Sequence, residues 1–195
     1  LLNHDNELIE EYIYTLTGSN FSSSNVNRIL TKQYATGSDI RETTQFFDGL
    51  GRLVQSQAKQ GSNSLVAGSV RYDVGGREWQ AWKSYPQDGA MSYDTSYADN
   101  SNSYYSSGGA GPDAGGRAYV ETTYEASPLG RPLRINPVGV SSTAGGTLRY
   151  NYGVESIGGH NAFWTEVTDE SGTKTRTWVD GWERTVRSTA GDGTT

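Results

Sequence analysis

The sequence contains no cysteine among its 195 residues. This absence excludes a disulfide framework and any zinc site built on thiolates. No apolar run approaches the roughly 20 residues that a helix needs to span a bilayer. We therefore predict no membrane span and no metal site.

Concentrated positive charge and near-neutral bases are also scarce. There are 16 Lys and Arg against 22 Asp and Glu, a net charge of −6, and the basic residues stand singly. A nucleic-acid partner, which needs a basic face, is therefore not predicted. Only His4 and His160 titrate near neutral pH, one near the start of the sequence and one after Gly-Gly in a predicted turn. No nucleophile elbow, metalloprotease helix motif or phosphate loop is present. We predict a protein that is not an enzyme, with no catalytic residue and no cofactor.

Aromatic residues and glycine are what the chain has in quantity. Aromatics reach 11%, with 13 Tyr and 5 Trp, and there are 25 Gly, although hydrophobic residues make up only 33%. This composition is typical of many short strands joined by glycine turns, with large aromatics supplying the buried area. Disordered chains, by contrast, are poor in aromatics.

A short motif recurs along the chain. It reads "FFDGLGRLVQ" at 46–55, "RYDVGGREWQ" at 71–80, "TYEASPLGRPLR" at 123–134 and "WVDGWERTVR" at 178–187. The successive arginines are 25, 54 and 53 residues apart, as expected for a unit of about 25 residues with eroded copies. One eroded copy is visible in Asp169 and Gly172. The predicted turn residues are Asp48, Gly51, Arg52, Asp73, Gly76, Arg77, Glu125, Gly130, Arg131, Asp180 and Arg184.

Each part of the motif has a physical role in a hairpin. The carboxylate accepts hydrogen bonds from backbone N–H groups ahead of it and tightens the turn. Glycine supplies a positive φ that closes the hairpin. The arginine begins the return strand and pairs with an acid or lies over an aromatic of the adjacent hairpin. Period-two alternation after Arg52, with Leu53, Gln55 and Gln57 on one face, predicts a strand.

The repeated pattern aromatic-Asp-x-x-Gly-Arg resembles the YD repeats of the Rhs family, which includes bacterial Rhs-type and teneurin-like proteins. The segments "YIYTLTG" and "TTQFFDGLGRLVQSQ" also resemble the opening of such arrays in large bacterial surface proteins. Two departures are Glu125 in place of Asp and Glu183 in place of Gly. The resemblance implies an all-β fold of repeated antiparallel β-hairpins stacked into a twisted sheet, which forms a hollow shell in full-length members. It implies no catalytic residues.

Four segments are predicted along the chain. Residues 1–40 form an N-terminal strand pair, although a short helix over Asn6–Tyr14 also fits the spacing, and residues 41–83 form two YD-like hairpin units. Residues 84–117, rich in Ser, Gly and Tyr, form a loop-rich insert, which either packs against a sheet or a neighbouring chain or stays mobile. Residues 118–195 form degenerate YD-like units.

Several aromatics are candidate ligand or interface residues. The tryptophans could form platforms for sugar rings, or they could fill the space between stacked sheets. Tyrosines of the insert could line an interface between chains. The aromatics concerned are Trp79, Trp82, Trp178, Trp182, Tyr104 and Tyr105.

The sequence thus favours a non-enzymatic structural β-repeat module of an exported bacterial protein. The chain begins Leu-Leu-Asn rather than with Met, which favours a processed form or a fragment. We expect an extracellular or cell-surface location and a role as shell, scaffold or self-assembling surface or filament subunit. Its partners would be copies of itself or flanking repeats of a longer parent chain, because strand edges invite pairing. The alternatives are a carbohydrate- or cell-surface-binding module, with glycans as partners, and a cryptic hydrolase.

Overall fold

The computed structural model describes residues 10–15, 26–34, 40–106, 117–139 and 146–191. Within these ranges there are thirteen β-strands and one α-helix. The prediction of an all-β fold built from antiparallel hairpins is confirmed. The chain divides into two compact units, Leu1–Pro112 and Asp113–Thr195. Of the alternative helix over Asn6–Tyr14, residues 6–9 lie outside the described residues, as does His4. Residues 10–15 form a strand.

The first unit is an antiparallel meander in which each strand pairs with the next as far as β6. β5 is long enough to pair with β6 near one end and with β7 near the other. Its described elements are β1 (Glu10–Thr15), β2 (Asn27–Tyr34), β3 (Ile40–Phe47), β4 (Leu53–Gln60), β5 (Asn63–Tyr72), β6 (Glu78–Trp82), β7 (Tyr85–Gln87) and α1 (Tyr97–Ser106).

The second unit is also an antiparallel meander, and its described strands pair in chain order. Because strand direction alternates, the turns at Glu125 and Asp180 lie at the same end of the strands of this sheet. The turn at Asp169 lies at the opposite end. The strands are β8 (Tyr119–Tyr124), β9 (Pro132–Asn136), β10 (Leu148–Ile157), β11 (His160–Thr168), β12 (Lys174–Val179) and β13 (Thr185–Ala190).

The interior of the first unit is unusually polar. Gln55 and Gln57 on β4 are each 1% exposed, and they lie among buried Ser, Thr and aromatic side chains. Such groups are stable inside a protein only when hydrogen-bonded. The segment that supplies many of their partners is the predicted insert.

The insert differs from the predicted loop because it contains β7 and α1. Ser, Asn, Asp and Tyr are poor helix formers, so the composition of this segment contains no helical signal. The helix is fixed instead by burial of Tyr97 and Ser101 against the sheet, and by hydrogen bonds from Ser101 to the Lys83 carbonyl and from Tyr105 to the Ser84 carbonyl. The sequence left open whether this segment packs or stays mobile. Residues 91–106 pack on the sheet.

Candidate functional site

The first repeated turn, Asp48–Arg52, is closed by its own acid and arginine. The Asp48 N–H donates to the Arg52 carbonyl at 2.9 Å, and the Gly51 N–H donates to the Asp48 carbonyl at 3.0 Å. Asp48 Oδ1 accepts the N–H groups of Leu50 and Arg52, both at 2.9 Å. Asp48 Oδ2 accepts Arg52 Nε and Nη2, both at 2.7 Å. Four donors therefore engage this carboxylate within a three-residue hairpin loop.

Two further turns repeat this geometry. In the Asp73–Arg77 turn the corresponding four contacts measure 2.7–2.9 Å. In the Asp180–Arg184 turn they measure 2.7–3.0 Å. The same spacing therefore produces the same hydrogen-bonded turn in both units.

The Glu125–Arg131 turn is two residues longer, and a longer acid and a serine accommodate the extra length. Arg131 forms a fork with Glu125, with Nε at 2.9 Å from Oε1 and Nη2 at 2.8 Å from Oε2. The Ser127 hydroxyl donates to Glu125 Oε1 at 2.7 Å and accepts the Leu129 N–H at 3.2 Å. Ser127 thus relays a contact that the acid makes directly in the shorter turns.

These contacts keep the turn acids ionised. Hydrogen bonds from Arg131 and Ser127 lower the pKa of Glu125 to about 2. Burial would raise the pKa of Asp48, but hydrogen bonds from Arg52 and the Leu50 N–H outweigh it, so the net shift is downward. A carboxylate held as an anion by an arginine is a poor general acid or base near neutral pH.

One position of each turn has the left-handed backbone conformation. Gly51, Gly76 and Gly130 have φ of 77°, 79° and 61°. Glu183 holds the equivalent place in the Asp180 turn with φ 61°, the strained conformation that the missing glycine would have relieved.

A β-bulge follows every turn that carries an arginine. The residue two before the acid lies opposite the residue three after the arginine, as in Phe46 with Gln55 and Trp178 with Arg187. One residue of the return strand is therefore extra, and the simple alternation predicted from Leu53 onward is wrong at that point. The Asp169 turn has Thr173 in place of arginine and pairs without a bulge. The extra residues are Val54, Trp79, Leu133 and Val186.

Two of the arginines also join their turn to the next strands. The Arg52 guanidinium lies 4.3 Å from the Tyr72 ring centre, and the Tyr72 hydroxyl donates to the Leu53 carbonyl at 2.8 Å. Arg131 lies 4.3 Å from the Tyr152 ring, whose hydroxyl donates to the residue after Arg131 at 2.7 Å. The arginine therefore pairs with an acid and also lies over an aromatic.

Asp94, which is 8% exposed, joins the insert to β4 of the first unit. The Asp94 N–H donates to Gln55 Oε1 at 2.9 Å, and Gln57 Nε2 donates to the Ser92 carbonyl at 2.6 Å. Asp94 Oδ2 accepts the Tyr85 hydroxyl at 2.5 Å and Asn100 Nδ2 at 2.7 Å. Burial and the hydrogen bond to Asp94 raise the pKa of Tyr85. Sequence reasoning missed this cluster because its partners are 6 to 39 residues apart and no motif links them.

The candidate aromatics separate by exposure. Trp82 and Trp178 are buried, 7% and 3% exposed, so their ring faces contact the protein and are not open platforms for sugars. Trp79 is half-buried, and Trp182 is 79% exposed. Tyr104 and Tyr105 are both half-buried and meet edge to face with ring centres 5.1 Å apart.

Trp182 borders a cavity of about 520 Å³ beside the Asp180 turn of the second unit. The β10–β11 hairpin extends past the end of β12 there and brings His160 and Asn161 beside the tryptophan. Arg184 covers one face of the Trp182 ring at 4.8 Å. His160 is exposed, and the acid that lines the same cavity, Asp180, is bound by Arg184 through Nε at 2.8 Å and Nη2 at 2.7 Å.

A second cluster, unforeseen from the sequence, lies on one face of β10–β12. A Cβ on Gly153 would overlap the Trp164 ring, so this glycine makes room for the indole. Arg176 lies 4.3 Å from the same ring and binds Glu166 Oε2 through Nε at 3.0 Å and Nη2 at 2.6 Å. Hydrogen bonds from Arg176 lower the pKa of Glu166. Alternation of Trp164 with Glu166 was the available signal in the sequence.

The described residues contain no group of three or more His, Cys, Asp or Glu side chains placed to hold a metal ion. No helix in the same part of the chain is long and apolar enough to cross a membrane.

Comparison with protein families shows which family the chain belongs to. The family model "Domain of unknown function (DUF6443)" matches residues 20–154, more than half of the sequence. The chain belongs to the DUF6443 family. No curated protein matches this DUF6443 chain in sequence.

Among solved structures, the DUF6443 chain is similar to the crystal structure of TcdB2-TccC3 without its hypervariable C-terminal region. The TM-score is 0.57 at 16% identity, and the alignment covers 83% of this chain but 8% of that chain. At this identity the likeness shows the fold alone, and the fold of the DUF6443 chain is Rhs-like.

Proposed function

We propose that this chain is a non-enzymatic structural β-repeat module of the Rhs/YD-repeat type, from an exported bacterial protein. It would act as part of a shell or scaffold, or as a self-assembling surface or filament subunit. The Rhs-like fold supports this proposal.

The observation that carries the proposal is the use of the repeated residues inside their own turns. Asp48 and Asp73 each receive four donors from the turn that they close. Their arginines are forked onto them and their glycines provide the left-handed residue. A recurring motif whose carboxylate is fully engaged by its own turn suits an architectural role better than a chemical one.

The outer strand β13 offers the means of extension. Among the described residues it pairs only with β12. The Gly191 N–H donates to the Lys174 carbonyl, which fixes the alternation of the ladder, so the N–H groups of Ser188 and Ala190 point away from β12. A further strand, from flanking repeats or from another copy, would complete this edge.

Proline at an outward-pointing position tests this extension. Ser188→Pro removes an outward donor and leaves the β12–β13 hydrogen bonds intact, whereas Thr189→Pro removes a donor that faces β12. We expect the wild-type chain to associate with rising concentration in light scattering after size exclusion, and Ser188→Pro to be monomeric with an unchanged circular dichroism spectrum. Thr189→Pro should lower the melting temperature. A wild-type chain that stays monomeric at all protein concentrations and binds glycans would contradict the assembly role.

Glycan binding is a second candidate function, favoured by one observation. Trp182 is 79% exposed beside the cavity of about 520 Å³, where His160 and Asn161 supply polar groups for hydroxyls. Exposed indole faces with nearby polar groups suit sugar rings. If this function is correct, Trp182→Ala abolishes signal on a glycan array, while Trp79→Ala retains it. Absence of signal from the wild-type chain would eliminate this candidate.

A further inference from the structure

A row of basic residues crosses one face of the second unit. Arg134 on β9 lies directly opposite Arg149 on β10, which lies opposite Thr168 on β11, which in turn lies opposite Lys174 on β12. Directly opposed residues of antiparallel strands project from the same face. We call Arg134, Arg149 and Lys174 the cationic row.

The charges of the cationic row are poorly compensated within the described residues. No described carboxylate forms an ion pair with Arg134 or Arg149, although like charges directly opposed destabilise a sheet. Arg134 Nε is buried and has no hydrogen-bond partner among the described residues. Lys174 is 3.9 Å from Glu166, whose other oxygen Arg176 already holds at 2.6 Å. The row therefore has unused capacity to bind an anion.

The positive charge of this face is a local feature. Residues 113–195 contain eight Lys and Arg and ten Asp and Glu, so the unit as a whole has a net charge of −2. Beside the row is a cleft of about 310 Å³, bordered by Lys174, Arg176 and Arg187. Two carboxylates also line it, Glu155, which accepts Trp178 Nε1, and Glu166, which Arg176 binds, so three cations face two engaged acids. Arg187 is exposed and stacks 4.7 Å from the Trp178 ring. The cleft therefore extends the cationic row by the exposed guanidinium of Arg187, which covers the buried Trp178 ring.

The first unit covers its corresponding face with a segment of its own. The pairing of Phe46 with Gln55 in that unit matches the pairing of Thr123 with Arg134 in the second, because both join the residue two before the acid to the residue three after the arginine. In the first unit, the Gln55 side chain binds the backbone N–H and carbonyl of Asp94, which lies over this face of the sheet. That covering segment, residues 84–106, contains three Asp, five Tyr and no Lys or Arg.

We propose that the cationic row of the second unit binds an acidic, tyrosine-rich segment of another polypeptide, laid across β9–β12 as residues 84–106 are laid across the first unit. Carboxylates of that segment would lie between Arg134 and Arg149 and relieve their repulsion, with aromatic side chains against the exposed guanidinium of Arg187. This inference is independent of the proposed structural role, because a scaffold could have this face open or covered.

A synthetic peptide of residues 84–106, labelled with fluorescein, is the probe for this site. Binding to the full 195-residue chain is measured by fluorescence anisotropy for the wild type, Arg149→Gln and Arg41→Gln. Arg41 is the matched control, since it is also an exposed strand arginine but lies in the first unit. A second probe has Asn at Asp88, Asp94 and Asp99.

We expect the acidic probe to bind the wild type, with about tenfold weaker binding for Arg149→Gln and no change for Arg41→Gln. The neutralised probe should bind at least about tenfold more weakly than the acidic one. Without any peptide, Arg149→Gln should raise the melting temperature by up to about 2–4 °C, because it removes the like-charge contact with Arg134.

Four results would overturn the proposal. They are no binding to the wild type, equal weakening by the two arginine variants, equal affinity for the two probes, or displacement of the peptide by inorganic phosphate, which would indicate a small-anion site. A lowered melting temperature for Arg149→Gln would show that this arginine already has a partner and would also count against it.

Discussion

Two glycines of the same turn should respond in opposite directions to alanine. Gly51 has φ 77°, Gly49 lies outside the left-handed region, and a Cβ at either position would meet no atom within 4 Å. Steric contacts therefore do not contribute, and only the backbone conformation separates the two substitutions. This pair isolates the role assigned to the turn glycine.

The magnitude follows from the backbone alone. An L-residue in the left-handed region costs roughly 1–2 kcal/mol, partly offset because alanine restricts the unfolded chain, so Gly51→Ala should lower the free energy of unfolding by about 1 kcal/mol. Gly49→Ala has only the favourable term and should raise it by about 0.4–1 kcal/mol. The two variants should then differ by about 3–8 °C in melting temperature.

Urea denaturation followed by circular dichroism and tryptophan fluorescence provides the free energies, and the dependence on urea concentration must be the same in both variants. Equal effects of Gly51→Ala and Gly49→Ala would refute the reasoning, because the left-handed residue would then be unimportant to the turn.

Other predictions concern single features of the two units. Glu183→Gly should raise the free energy of unfolding by up to about 1 kcal/mol in urea, since glycine relieves the strained φ of 61°; an unchanged midpoint would contradict this. Gly153→Ala should cost about 1–3 kcal/mol and alter the near-ultraviolet circular dichroism, because the new methyl group would overlap Trp164; a native spectrum would argue against the packing. The pKa of Glu125 is lowered to about 2, so the stabilisation from its carboxylate is complete above the ordinary value of 4.5 and is lost as pH falls towards 2. Glu125→Gln should flatten that acid transition, and an identical pH profile would refute it. Asp94→Ala should cost about 1–3 kcal/mol and expose residues 84–106 to proteolysis at native pH, whereas persistent resistance would mean that the aromatic contacts alone hold the segment.

The local chemistry of the turns could be predicted from sequence because all its participants lie within seven residues. Acid, glycine and arginine at fixed spacing specify which atoms can reach each other, and the substitution of Glu183 for glycine was visible as a departure. The bulge at Val54 was not predictable in this way, since it exists only relative to the partner strand.

Long-range packing was harder to predict. The Asp94 cluster depends on Gln55, 39 residues away, and nothing in the composition of the insert indicates that two glutamines need its backbone. The helix in the insert likewise depends on tertiary contacts rather than on propensity. In the second unit, the opposition of Arg134 and Arg149 required the register of β9 and β10, which are separated by eleven residues, 137–147, in the sequence.

The central claim is that acid and arginine of each turn act on each other to hold a hairpin. A double-mutant cycle of Asp48→Ala and Arg52→Ala, read out as free energy of unfolding, tests it most directly. The fork at 2.7 Å is partly buried, with side chains 15% and 32% exposed, so we predict a coupling energy of about 1 kcal/mol. Additive effects of the two substitutions would contradict the claim. So would single variants that are both as stable as the wild type.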